Sequence, residues 1–167
     1  MSANLPAGVL ASVGRKEDLM MIPETGPYLK AAVFCDNVIE GKDGVLSLIR
    51  VIDRATLTAA GPQTPAEMPP VERELKLVLM FISGMARGSH SIDLKVEKPG
   101  GGISDAWSGT VFLQGEDQGT NLIIQMAGFK FEMEGLYWFH VFFDDDLMTK
   151  LPFRLIYQRV GPRTAQQ

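Results

Sequence analysis

"HSIDLKVE", residues 90–97, decides the fold class. His90, Ile92, Leu94 and Val96 alternate with Ser91, Asp93, Lys95 and Glu97, so one set faces a core and the other faces water. That period of two belongs to a half-exposed antiparallel strand, since successive side chains of an extended chain point to opposite faces. The pattern recurs outward in both directions. It is found in "LKAAVFCD" (29–36), "GVLSLIRVID" (44–53), "ERELKLVLMFI" (72–82), "GTVFLQ" (109–114), "NLIIQMAGFKFEM" (121–133), "GLYWFHVFF" (135–143) and "KLPFRLIYQRV" (150–160). With 90–97, these stretches predict about eight strands. Turn chemistry separates several of them: "EGKDG" at 40–44, "KPGGG" at 98–102, "GEDQG" at 115–119 and "DDD" at 144–146. Helical periodicity is weak throughout, and a short helix around residues 15–21 is the only one suggested. The expected fold is all-β, a single antiparallel β-sandwich of about eight strands.

The β pattern spans residues 28–160 and defines one domain, a size that buries a core without staples. Residues 1–27 carry Gly8, Gly14, Pro23, Gly26 and Pro27 without sustained period and are expected to form an N-terminal arm. Residues 161–167 offer nothing to bury and are expected to form a C-terminal tail. The stretch 56–70, with four prolines, is expected to be a long connection between sheets.

Composition narrows the function classes. Apolar residues at 46% and charged residues at 22% are those of an ordinary globular chain. The net charge is −4 and the 16 basic residues are scattered, which argues against a phosphate-binding surface and hence against a nucleic-acid partner. Cys35 is the only cysteine, so no intrachain disulfide forms and a reducing compartment fits. Arg15 and Lys16 follow the first apolar stretch instead of preceding it, the reverse of a secretory signal. No apolar run approaches the ~20 residues of a membrane helix. The chain is expected to be cytoplasmic, with no membrane partner.

Two stretches carry a family resemblance. "VFCDNVIEGKDGVLSLIRVID" (33–53) sets a hydrophobic strand ending in Cys-Asp before a glycine turn and a Leu-Ser-Leu-Ile strand. "GLYWFHVFFDDDLMTKLPFRL" (135–155) has the form of a closing hairpin opened by Gly-x-Tyr. Together they resemble an uncharacterised bacterial β-sandwich family. The resemblance implies one compact antiparallel domain and brings no activity with it.

Catalysis would need a nucleophile and a base that converge, and the candidates are Cys35 with His90 or His140. A lone cysteine on an apolar strand is more often a small buried hydrophobe. One cysteine and two histidines lack zinc-site spacing, and "KPGGGISD" lacks the ending and following helix of a phosphate loop. Calcium is the metal the loops come nearest to suiting, through Asp144, Asp145 and Asp146 with Glu116 and Asp117, or with Asp36 and Asp43. The competing account is that each acidic cluster is a solvated turn, so no cofactor is expected.

The strand at 135–143 is apolar on both faces: Tyr137, Phe139, Val141 and Phe143 on one, Leu136, Trp138, His140 and Phe142 on the other. A strand of a two-layer fold needs only one face in the core. If the odd set points inward, Trp138, His140 and Phe142 form an exposed aromatic face that suits protein contact, unless Met20, Met21 and Ile22 of the arm cover it. The expected function is therefore a non-catalytic binding or accessory module acting by self-association or on a partner protein. The alternative is a small-ligand module, calcium-dependent or carbohydrate-binding, using loops at one end of the sandwich.

Overall fold

The computed structural model describes residues 25–161. Among them the chain is all strand and connection, with no helix. Seven strands follow in order: β1 (Tyr28–Glu40), β2 (Leu46–Ile52), β3 (Arg54–Ala60), β4 (Val71–Glu97), β5 (Ile103–Phe131), β6 (Gly135–Phe143) and β7 (Asp146–Val160). They make one sheet in the order β2-β1-β4-β6-β7-β3, with β5 on the other side of β4. The expected arm up to residue 24, with its suggested helix and its cover of Met20, Met21 and Ile22, lies outside the described residues, as do residues 162–167.

The strand count differs from the expected eight because two pairs of predicted strands are continuous and one strand was hidden. β4 fuses 72–82 with 90–97, and β5 fuses 109–114 with 121–133, so "GEDQG" is a bend within β5 and does not end a strand. The bend is built from register shifts between Ile82 and Arg87 and from left-handed backbone at Gly84, Gly88, Gly115 and Glu116. Bulges and glycines of this kind turn a strand sharply without breaking its ladder. β3 starts just before the stretch 56–70 expected to be loop and takes up its first five residues, and it pairs with β7 in parallel, whereas every other pair is antiparallel. The chain leaves β2 at Asp53, whose carbonyl accepts from Arg154 N at 2.9 Å, and that bond sets β3 alongside the far end of β7. Only Gly61 to Pro70 remain as the long connection.

The bent β4–β5 ribbon carries β1 on its first half, at Lys76–Ile82, and β6 on its second, at Ile92–Glu97. Side chains from the two halves meet. Phe34 of β1 packs edge-on against Phe139 of β6 and Phe153 of β7, with ring centroids 4.8 and 5.3 Å away. Phe131 of β5 stacks on Phe153, and Phe81 of β4 lies against Phe143. The alternation that opened the sequence reading is the core pattern itself: Ile92, Leu94 and Val96 are fully buried. Edge-to-face aromatic packing of this sort adds about 0.5–1.5 kcal/mol per pair beyond the burial of area.

Candidate functional site

β6 is the strand on which the core and the candidate site divide. Tyr137, Phe139, Val141 and Phe143 are buried in the core, as the odd-numbered face was expected to be. Trp138, His140 and Phe142 therefore stand on the opposite face. Trp138 and Phe142 are half-buried, whereas His140 is buried at 7% exposure. Register explains the difference. His140 has Lys95 of β4 on one side and Lys150 of β7 on the other, and its Nε2–H donates to Glu97 Oε2 at 3.1 Å. Lys95 also places its ammonium 5.4 Å from the centre of the Phe142 ring, a cation–π contact.

Four residues of this face were not singled out from sequence. Pro152, exposed, lies opposite Trp138, and Leu147, exposed, lies opposite Phe142. Lys95 and Glu97 join from β4. They could be found only once the register was known, because pairing sets which residues of three separate strands share a row.

The acidic turn has a different role from the one the calcium set assigned to it. Asp144 and Asp145 both adopt left-handed backbone, at φ 46° and 71°, and close the β6–β7 hairpin. Asp144 then turns back onto β4. Its Oδ1 accepts from Ser91 N at 2.9 Å, its Oδ2 accepts from His90 Nδ1–H at 2.6 Å, and its own amide donates to Ser91 O at 3.1 Å. Glu116 is paired with Arg87 at 3.1 Å. Among the described residues no three His, Cys, Asp or Glu side chains gather as a metal set, so Asp144, Asp145, Asp146, Glu116 and Asp117 are not brought together. Asp36 pairs with Arg50 at 2.7 Å, and Asp43 accepts from Val45 N within its own turn.

The Asp144–His90 contact was missed from sequence because its partners are 54 positions apart. His90 stacks on Phe143 with ring centroids 4.8 Å apart, and its Nε2 is buried with no hydrogen-bond partner among the described residues. Partial burial works to raise the Asp144 pKa, but the hydrogen bonds from His90 and from the Ser91 amide outweigh it and hold the carboxyl below its ordinary value. A carboxylate lowered in this way stabilises the fold above its ordinary pKa, and that stability is lost as pH falls through the lowered value. Asp144→Asn is thus expected to cost about 1 kcal/mol at neutral pH, the small end for hydrogen bonds to a half-exposed charge. The gap between variant and wild type should close in acid. Urea midpoints measured from neutral pH into the acid range test this; a gap that stays constant would show that the charge is not what matters.

Cys35 is buried at 1% exposure, and its register partners are Val51 and Lys76. Burial pushes its thiol pKa up, partly countered by Lys76 and reinforced by Asp36. His90 is engaged by Asp144 of the β6–β7 turn and His140 by Glu97 of β4, so the bonds they make are to carboxylates and not to Cys35.

Residues 30–156 match the model of DUF6941, a family of unknown function. The resemblance to an uncharacterised family noted in the sequence is borne out in that respect. No curated protein matches the chain. Among solved structures, β-glucosidase 3B from Thermotoga neapolitana in complex with glucose is similar over 74% of this chain, at 11% identity and a TM-score of 0.41. A β-glucosidase from Listeria innocua in complex with glucose is similar over 80% of this chain, at 9% identity and the same TM-score of 0.41. This chain spans only 16% and 17% of the length of those two proteins, and likenesses at this level carry no argument about activity. No helix among the described residues is long and apolar enough to cross a membrane.

Proposed function

We propose, for a chain that belongs to DUF6941, a family of unknown function, that the outer face of β6 is a protein-contact surface and that the domain acts by binding, without catalysis. The observation that carries this reading is the placement of Trp138, His140 and Phe142 on the side of β6 that the core does not use. Pro152 and Leu147 extend the row, and Lys95 and Glu97 fix it from the side. Aromatic rings set among paired charges are the composition of an interface centre with a polar rim. A His140 tied to Glu97 is also pre-positioned, which lowers the ordering cost of binding.

The bent sheet is, in this reading, a β-sandwich whose two halves close on Phe34, Phe139 and Phe153, and that arrangement leaves the outer face of β6 for other work. A buried cysteine with a raised pKa supports a non-catalytic role, because the nucleophile is the thiolate. A single cysteine and no disulfide support a cytoplasmic setting.

A photo-reactive amino acid placed at Trp138 in the cells that naturally produce the protein tests the reading. The expected result is one discrete protein adduct, absent when the same group sits at Thr58 on the exposed side of β3. Equal adducts from both positions would contradict a dedicated surface.

A further inference from the structure

β5 is an open sheet edge. Among the described residues it bonds only β4, although it runs from Ile103 to Phe131, 29 residues. Natural edges of that length are blunted by proline, lysine or cover, since unpaired N–H and C=O groups invite another strand. The stretch 118–129, "QGTNLIIQMAGF", has no proline and no charge. Its ladder to β4 is regular from Gly119 to Met126, bounded by the bend at Gly115–Glu116 on one side and left-handed Gly128 on the other.

We propose that this edge pairs antiparallel with the same edge of a second copy of the chain, about a two-fold axis at Ile123. The stretch is self-complementary about that residue. Ile123, 37% exposed, meets its own counterpart. In that register Leu122 lies opposite Ile124 and Asn121 opposite Gln125, like with like. Charge fits as well: the first charged residues to either side of the uncharged stretch are Asp117 and Lys130, of opposite sign, so an antiparallel pairing sets unlike charges toward each other at both ends.

Packing follows from the same axis. Val33, Val78 and Ile123 form one row across β1, β4 and β5, fully buried at Val78 and open at Ile123 on the edge. Pairing at Ile123 doubles that row into six β-branched side chains running across a single sheet, the kind of cross-strand contact that stabilises sheets. An isologous edge contact also closes on itself, so it ends at a dimer and does not propagate into a filament.

This surface is separate from Trp138, so the two readings fail independently. The test is a disulfide trap on the full chain. Directly opposite residues of an antiparallel pair have Cα atoms about 4.5–5.5 Å apart, within disulfide reach. Ile123→Cys should give a covalent dimer under a mild oxidant, whereas Phe112→Cys, more exposed on β5 at 64% but outside the paired stretch, should not. Cys35 is buried and does not compete. In sedimentation the wild type should be dimeric and Ile123→Lys monomeric with unchanged circular dichroism, because two lysines would meet at the axis. A monomeric wild type, or equal cross-linking at positions 112 and 123, would overturn the proposal. Should the lysine variant fail to fold, the cysteine pair still decides it.

Discussion

Phe34→Ala is expected to lower the unfolding free energy by about 3–5 kcal/mol, the range for emptying an aromatic site in a packed core. The ring is 2% exposed and is the point at which β1 meets both β6 and β7. A domain of this size has roughly 5–15 kcal/mol of stability in all, so one side chain carries a large share. The urea midpoint should fall with little change in slope, since the surface exposed on unfolding is nearly the same. A loss under ~1 kcal/mol would mean that the halves of the sheet are held together elsewhere.

Gly84→Ala is the second large effect, and it acts through the backbone. Gly84 sits at φ 57°, and a Cβ there would lie 2.6 Å from Thr25 O and 3.2 Å from Gly26 Cα. The neighbours are main chain, so relief requires the segment before β1 to move. Met85 N donates to Thr25 O at 2.6 Å, and that bond would be strained with it. Left-handed backbone costs a residue with a Cβ about 1–2 kcal/mol, and the clash adds to this, for an expected loss of about 2–4 kcal/mol. Gly88→Ala is the control: it shares a positive φ, at 98°, but a Cβ there meets nothing within 4 Å. Thermal melting of the two variants separates strain at the bend from backbone conformation alone; equal losses would remove the steric part of the account.

What the sequence disclosed follows the strength of its periodicity. Residues 90–97 alternate cleanly and form part of a strand with the expected face inward, whereas residues 135–143 are recognisable as a strand but are apolar on both faces. The division of β6 into a core face and an outer face was only a condition in the sequence, because Leu136, Trp138 and Phe142 are as bulky as the odd-numbered set; the burial of Tyr137, Phe139, Val141 and Phe143 decides it. β3 was hidden for the opposite reason. Its inward side chains are Ala55, Leu57 and Ala59, and two small residues of three leave too weak an alternation to outweigh the prolines that follow.

The continuous β4 and β5 were misread because Gly84, Gly88 and Gly115 look like turns, whereas here they bend a ladder that goes on. Three aspartates at 144–146 raised the question of a metal, and hairpin closure accounts for the left-handed pair. The long-range grip of Asp144 on His90 and Ser91 was invisible, as side-chain contacts between distant strands depend on register, which no single stretch encodes. Pro152 and Leu147 joined the candidate face for the same reason.

In the proposed function β6 serves the core with one face and a partner protein with the other. The most direct measurement places a photo-reactive residue at position 142 and compares adduct yield with and without Trp138→Ala, recording the melting temperature of each chain. Trp138 is half-buried on the outer face, so its loss should abolish the adduct while shifting the melting temperature far less than Phe34→Ala does. An undiminished adduct, or a collapse in stability matching that of Phe34→Ala, would show that the outer face serves the fold and not a partner.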